Sequence, residues 1–395
     1  MKRTNRQKIR RGCLFAVILW IMFPGNASAA APKQQEQETI EEQEDAGEKL
    51  LENLELQQMQ EAINELLGEQ TFHLQDFLEG IFRGEQEVSK KQAVSFIKEL
   101  LLSMLVMDRQ ALSQVFLLVL AAALFVNFTE VFGNGQTGEV SFYIVYMMLS
   151  VILIHSFSGI SQGIAEKLEE LILFMKALMP SYFLAVTASS GSATAMVFYE
   201  MVMGVIYLIQ VVLLKFVIPG IHVYVLLEMI NYLHKEEVLS HMAELMQTIL
   251  EWTLKTCTGV MIGMQLVQNM ISPALDSLKR NMIGKTAAAI PGVGNVINGV
   301  TEVALGTAVL IRNSLGVIGI LVLLMLGLPP VVKIGFTTLV YKFLAALVQP
   351  VSDKRMVGCL STVGEGCRLL MKVLLMTELL FMITIAILTV SFVGN

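Results

Sequence analysis

Long runs of apolar residues, separated by short polar segments, dominate the chain from about residue 106 onward. Most of these runs approach the roughly 20 residues that cross a bilayer core as a helix. The short runs follow Pro219 and the pair Pro329-Pro330. The pattern predicts an all-α, polytopic membrane protein with about six to eight transmembrane helices. The predicted spans lie near residues 111–132, 141–164, 195–216, 218–233, 252–272, 304–328, 331–349 and 370–392.

The first 105 residues follow a different pattern. A basic segment, MKRTNRQKIRRG, precedes a short apolar core, CLFAVILWIMF, and then the small residues ASA. This order is typical of a secretory signal peptide, which we predict over residues 1–30, with an uncleaved membrane anchor as the alternative. Residues 31–105 begin acidic and rich in Gln, and later carry apolar residues at helical spacing. We expect them to form an acidic, amphipathic helical region outside the cytoplasm.

The membrane part divides into three predicted units. Residues 106–179 hold the first two spans and an amphipathic segment, AEKLEELILFMKALMP, that suits the membrane interface. Residues 180–279 and 280–395 resemble each other, because each has a proline near its start (Pro180, Pro291) and a second proline 39 or 38 residues later (Pro219, Pro329). Three spans in each copy would place the copies in opposite orientations, which is the inverted repeat of many transport proteins.

Composition and charge narrow the possible functions. The chain has 395 residues, of which 54% are hydrophobic and only 16% are charged, and this supports a membrane protein. Residues 31–70 carry twelve acidic residues against two lysines, so a nucleic-acid partner is not expected, since phosphate binding needs a basic surface. Basic clusters at 278–285 and 352–355 fit cytoplasmic loops if the chain starts outside and crosses eight times.

A glycine-rich stretch, GKTAAAIPGVGNVING, raises the question of nucleotide binding. A phosphate-binding loop with Gly284-Lys285-Thr286 would need glycine at 279, where Lys279 stands. A dinucleotide fingerprint with Gly292 and Gly294 would need glycine at 297, where Ile297 stands. We therefore interpret this stretch as a closely packed or broken membrane segment. Its candidate packing residues are Pro291, Gly292, Gly294 and Asn295.

Ionisable residues inside spans are candidates for a pathway, because inserting one costs roughly 2.5–3.5 kcal/mol. Glu200 and Glu378 stand in apolar surroundings, and Arg312 with Asn313 interrupts the sixth span. Pro180, Pro219 and Pro329 mark possible breaks near them. No Ser-His-Asp, Cys-His or metal-spaced arrangement is visible, and no C-x-x-C pair is present. The sequence therefore predicts a non-enzymatic protein without catalytic residues, a cofactor or a metal.

The C-terminal part, IPGVGNVINGVTEVALGTAVLIRNSLGVIGILVLLMLGLPPVVKIGFTTLVYKFLAALVQPVSDKRM, resembles the stage III sporulation protein AE family of endospore-forming bacteria. The resemblance rests on the apolar pattern and the tail with LP-P, LVYK and QP, and extends over the whole plan of the chain. It implies a multi-pass protein of the mother-cell membrane around the forespore. It also implies a channel or export platform whose partners are ring-forming extracytoplasmic subunits, a cytoplasmic ATPase of the same complex and membrane lipid, with a homo-oligomer as a further possibility.

Two other functions remain open from the sequence. A secondary transporter working alone would use Glu200 and Glu378 for coupling to protons or sodium. A structural anchor would hold partner subunits and conduct nothing. The family pattern assigns a role to no individual residue, so the candidate residues above rest on their chemistry alone.

Overall fold

The computed structural model describes residues 135–190, 193–233, 239–287, 294–350 and 352–391, together with positions 60, 61, 64 and 120. These residues belong to one structural unit, Glu44–Asn395. The predicted signal peptide, the region 31–105 and the span 111–132 lie outside the described residues, except for those four positions. Pro291 and Gly292 also lie outside them.

Every regular element in the described ranges is helical. The elements are α1 (Gly135–Ser190), α2 (Ala193–Val212), a π-helical segment (Leu213–Val217), α3 (Ile218–Leu233), α4 (Ser240–Ala287), α5 (Gly294–Val348) and α6 (Lys354–Ser391). The prediction of an all-α protein is thus confirmed for the described part of the chain. The 56 residues of α1 extend about 84 Å at about 1.5 Å per residue, far more than the roughly 30 Å of a bilayer core.

Four helices in the described ranges are long and apolar enough to cross a membrane. They are Phe142–Ala188, Glu200–Leu233, Gly306–Val348 and Lys354–Ala386. The predicted spans 195–216 and 218–233 form one of them, and the predicted spans 304–328 and 331–349 form another. The predicted span 252–272 lies in α4, which is not among the four. The structure therefore supports four spans where the sequence predicted seven over the same ranges.

Pairs of predicted spans form single helical segments because the prolines between them do not end the helix. Pro180 lies inside α1, and Pro329 and Pro330 lie inside α5. Pro219 follows the π-helical segment, in which the Ile218 N–H donates to the Leu213 carbonyl five residues earlier. A proline removes one backbone donor and crowds the preceding turn, and a π-turn or tertiary packing can absorb that loss.

True helix ends occur where the sequence supplies caps and breaks. The helix α5 ends just before Gln349 and Pro350, and α6 begins after Asp353. The Asp353 Oδ1 atom accepts a hydrogen bond of 2.8 Å from the Arg355 N–H, which is the bond expected of an N-cap. Between α3 and α4, the Asn231 Oδ1 atom accepts a 2.9 Å hydrogen bond from the Leu239 N–H. Both contacts lie at the same end of the bundle.

Helix α6 is the central member of the bundle, with α5 antiparallel to it. Going along α5 from Gly319 through Gly335 to Lys342, the α6 neighbours run backward from Ile385 through Met371 to Gly364. Helix α1 runs parallel to α6, because Ser150 contacts Cys359 and Tyr182 contacts Thr389. The buried core of the described residues follows the contacts of α6 with α1, α3 and α5.

The two predicted repeat copies do not have opposite orientations in the described helices. Helix α3 is antiparallel to α6, because Tyr232 packs on Gly358 and Val225 packs on Gly366. Since α5 is also antiparallel to α6, α3 and α5 run in the same direction. Helices α4 and α6 likewise run in the same direction, because α4 turns back along α3, where Leu250 meets Gly220. An inverted arrangement would require three spans in each copy. The described part of the first copy contains the segment α2–α3 and the helix α4, and that of the second copy contains α5 and α6.

Candidate functional site: polar groups within the helical bundle

Two of the ionisable residues that the sequence singled out are buried inside apolar helices. The Arg312 side chain is 0% exposed and the Glu378 side chain is 5% exposed. The Arg312 Nη2 atom donates a 3.3 Å hydrogen bond to the Oδ1 atom of Asn313, which is half-buried. Arg312 and Glu378 both lie within candidate membrane spans, where an ionisable side chain is costly unless it has polar or charged neighbours. The role of Arg312 and Glu378 in a pathway or in packing stays a prediction.

Glu200 has a different environment. It is exposed and lies seven residues after the start of α2 at Ala193. An exposed carboxylate does not require a buried partner. Glu200 and Glu378 lie on different helices, and only Glu378 is buried. The structure does not bring the two predicted carboxylates together.

The remaining predicted residues fall into two groups. Pro180 and Pro329 are half-buried inside continuous helices, while Pro219 is exposed beside the π-helical segment. Gly294 and Asn295 form the first turn of α5, and the Asn295 side chain is not among the described ones. The proposed packing role of the stretch 291–295 therefore stays a prediction. Arg312, Asn313 and Pro329 lie on α5, and Glu378 lies on the facing helix α6.

Glu378 lies directly against the backbone of α5 at Gly327. A Cβ atom added at Gly327 would stand 2.6 Å from the Glu378 Oε2 atom and 2.7 Å from the Oε1 atom. Any side chain larger than hydrogen at position 327 would occupy the space of the carboxyl group. The glycine therefore creates the place in which the carboxyl group is seated, two residues before Pro329.

A second polar feature was missed at the sequence level. Five charged side chains from α4, α5 and α6 form a continuous ion-pair network, which we call the charged seam: Glu251, Lys342, Glu365, Arg368 and Lys372. The Lys372 Nζ atom lies 2.6 Å from the Glu251 Oε1 atom, and the Lys342 Nζ atom lies 3.3 Å from the Glu365 Oε2 atom. Arg368 connects the two pairs, because it contacts both carboxylates.

The charged seam lies on the outside of the single chain rather than in its core. Its side chains are between 22 and 46% exposed. Four of them belong to candidate spans, and Glu251 belongs to α4. The hydrogen bond from Lys372 and the nearby positive charges hold the pKa of Glu251 below its usual range. The Glu251 carboxylate is therefore ionised near neutral pH. The charged seam contains three basic and two acidic side chains.

The sequence contained a signal for this seam. Glu365, Arg368 and Lys372 follow each other at spacings of three and four, which places them on one face of a helix. The predicted span 370–392 begins between Arg368 and Lys372 and therefore divides this pattern. Glu251 lies 121 residues from Lys372, and no local pattern predicts that contact.

Other polar groups of the bundle hold the helices together. The Tyr146 hydroxyl donates a 2.6 Å hydrogen bond to the Met229 carbonyl, which joins α1 to α3. The Ser156 and Tyr341 hydroxyls lie 2.9 Å apart and join α1 to α5. Cys257, Cys359 and Cys367 are buried free thiols. In the part of the chain that the structure describes, no group of three or more His, Cys, Asp or Glu side chains could hold a metal ion.

Comparisons with known proteins identify the family of the chain. The family described as stage III sporulation protein AE matches residues 72–391, which is most of the chain. The stage III sporulation protein AE of Bacillus subtilis (strain 168) is 20% identical over 387 residues, covering 97% of this chain and 96% of the relative. No solved structure matches the chain. The chain belongs to the stage III sporulation protein AE family.

Proposed function

We propose that the chain is a non-enzymatic, multi-pass subunit of the complex that joins mother cell and forespore across their two membranes during sporulation. In this proposal it resides in the mother-cell membrane around the forespore and forms the conduit or export platform of the complex. Family membership supports the role in sporulation. The transenvelope assembly is what the family resemblance implies, and the charged seam is the structural observation that favours it.

The argument from the seam concerns what surrounds it. Charged side chains in transmembrane segments almost always face a bundle interior or a water-filled cavity. Here they lie on the outside of one chain, 22–46% exposed. Lipid tails would leave the outer faces of Lys342 and Lys372 without solvation. A neighbouring subunit or an aqueous passage would supply it, and both belong to a membrane complex rather than to a chain surrounded by lipid.

A test should compare the seam with an exposed lysine outside it. We expect Lys372→Gln to lower both the yield of heat-resistant spores and the recovery of partner subunits with the tagged chain from sporulating cells. Lys333→Gln is the matched control, because Lys333 is exposed on α5 and lies outside the seam. The proposal would be abandoned if both variants sporulated normally and the wild-type chain were isolated without other subunits.

The other two functions make different predictions. A transporter working alone would couple through Glu200 and Glu378, and its flux in reconstituted vesicles would stop with either residue changed to Gln. The exposed position of Glu200 gives this function less support. A purely structural anchor would retain its partners and show no flux at all. Flux measured with and without the partner subunits therefore separates the three.

A further inference from the structure

Two consecutive prolines inside α5 leave two backbone carbonyls without their usual donors. In an α-helix each carbonyl accepts a hydrogen bond from the N–H four residues later. Pro329 and Pro330 have no N–H, yet α5 continues through both as an α-helix. The carbonyls of Met325 and Leu326 therefore lack that bond. Both belong to the candidate span Gly306–Val348, where lipid cannot supply a donor.

Glu378 lies against α5 at the residue that follows these two carbonyls. Its carboxyl group is seated on Gly327, the residue that directly follows Leu326, with Oε atoms 2.6 and 2.7 Å from the position of a Cβ atom there. The side chain is 5% exposed. Within the described ranges it makes no ion pair and no hydrogen bond. The site thus contains a buried carboxyl group and two carbonyl acceptors on the facing helix.

Among the described side chains, the charged groups of the helices packed against α6 are paired, exposed or remote from Glu378. On α3, the half-buried Glu228 lies between Val225 and Tyr232, which pack on Gly366 and Gly358, well before Glu378 in α6. On α5, Lys333 is exposed and Lys342 pairs with Glu365, while Arg312 binds Asn313. On α4, Glu251 pairs with Lys372 and Arg368 and lies 4.0 Å from Lys255. On α1, Lys167 pairs with Glu170. The other charged side chains at this level of α1, α2 and the π-helical segment are exposed: Glu166, Glu169, Lys176, Glu200 and Lys215.

An ionised carboxylate in this position would lie against the part of α5 that holds these two carbonyls, without a compensating cation. Burying an unpaired charge costs far more than burying a neutral, hydrogen-bonded group. A protonated carboxyl group has one O–H donor, which is the group that the proline-flanked carbonyls lack. We propose that Glu378 is a proton-binding site, whose O–H donates to the carbonyl of Met325 or Leu326 and joins α6 to α5.

Loss of this proton would convert an attractive contact into a repulsive one. The donor would disappear, and a negative charge would lie against the backbone of α5. Proton binding at Glu378 is therefore coupled to the packing of the α5–α6 hairpin. This inference goes beyond the proposed function and does not depend on the chain being a conduit, because it concerns the isolated chain.

The direct test is infrared spectroscopy of the purified full chain in lipid nanodiscs near neutral pH. A protonated carboxylic acid has a carbonyl stretching band separate from those of amides and carboxylates. We expect the wild-type band to lose one component in Glu378→Gln and to shift in Glu378→Asp. Glu200→Gln is the control and should retain the component. A wild-type spectrum identical to that of Glu378→Gln would overturn the proposal, as would a component that sodium removes at constant pH.

A second pair of variants tests the geometry. Gly327→Ala places a methyl group where the carboxyl group is seated, so the component assigned to Glu378 should shift or vanish. Gly204→Ala is the matched control, since a Cβ atom there meets nothing within 4 Å. It should leave the spectrum unchanged. An unchanged component in folded Gly327→Ala would show that the protonated group is not the one seated on α5.

Discussion

Gly366 offers a sharp test of the helix packing, because three helices meet there. A Cβ atom at Gly366 would stand 2.6 Å from the Val225 Cγ2 atom on α3 and 2.7 Å from the Phe157 Cε2 atom on α1. Real Cβ atoms do not approach other carbon atoms so closely, so Gly366→Ala must move one or both neighbours. The ring of Phe157 is itself packed against His222, with ring centroids 5.2 Å apart, which limits its freedom to move.

The expected change in the free energy of unfolding of Gly366→Ala follows from two opposing effects. Alanine is better than glycine in a helix by about 0.8–1.0 kcal/mol, and this gain should appear at any helical glycine. Overpacking a tight core costs about 1–3 kcal/mol. Gly259→Ala is the matched control, because a Cβ atom at Gly259 in α4 meets nothing within 4 Å. Helix propensity cancels between the two variants, so we expect Gly366→Ala to be less stable than Gly259→Ala by about 1–3 kcal/mol.

The assay is reversible unfolding of the purified chain in mixed micelles, with sodium dodecyl sulfate as the denaturant and helicity followed by circular dichroism. The free energy of unfolding should rise by about 0.8–1.0 kcal/mol in Gly259→Ala, whereas in Gly366→Ala the overpacking should cancel that gain or exceed it by up to about 2 kcal/mol. Equal stability of the two variants would refute the three-helix contact. It would mean that α1, α3 and α6 do not approach each other at this position.

Two further predictions use the same assay. Tyr146→Phe should lower the free energy of unfolding by about 0.5–1.5 kcal/mol, because it removes the hydrogen bond to the Met229 carbonyl. The exposed Tyr143 provides the control, since Tyr143→Phe should change little, and equal losses would contradict the α1–α3 contact. Glu251→Gln should cost about 1 kcal/mol at neutral pH, where its partly exposed ion pairs are intact. Because the folded pKa of Glu251 is lowered, the wild-type advantage should be present above about pH 4.3 and disappear as pH falls through the folded value. Glu244→Gln on the same helix is the control, since Glu244 is 77% exposed, and a wild-type advantage that persisted in acid would contradict the role of the seam.

The apolar pattern was sufficient for the fold class but not for the number of spans. Helices are the expected way to satisfy the backbone of long apolar segments in a membrane, so the all-α prediction needed only composition and length. The sequence rule that proline ends a helix is local, and it divided α5 at Pro329. Packing of α5 on α6 from Gly316 to Lys342, on both sides of the prolines, stabilises the continuous helix, and no local rule contains that information.

The candidate site was predictable only where a local sequence pattern marks it. Arg312 and Glu378 stand out because each is an ionisable residue in an apolar run, and both are buried. The seat at Gly327 could not be found in this way, because it depends on how α5 is aligned with α6, 51 residues further along the chain. The charged seam has the same limitation, since the Glu251–Lys372 contact joins two distant helices.

The two helical hairpins of the bundle differ at their prolines in a way that singles out Glu378. Next to Pro219, the apolar side chain of Leu250 in α4 packs on Gly220. The π-helical segment adjusts the hydrogen bonding before that proline. Next to Pro329, Gly327 accepts the carboxyl group of Glu378, and α5 has no π-segment there. At its proline, the hairpin α3–α4 is thus packed through an apolar contact without a titratable group. At the second hairpin a titratable group lies next to the carbonyls that lack their helical donors, so our proposal couples proton binding to the packing of α5 on α6.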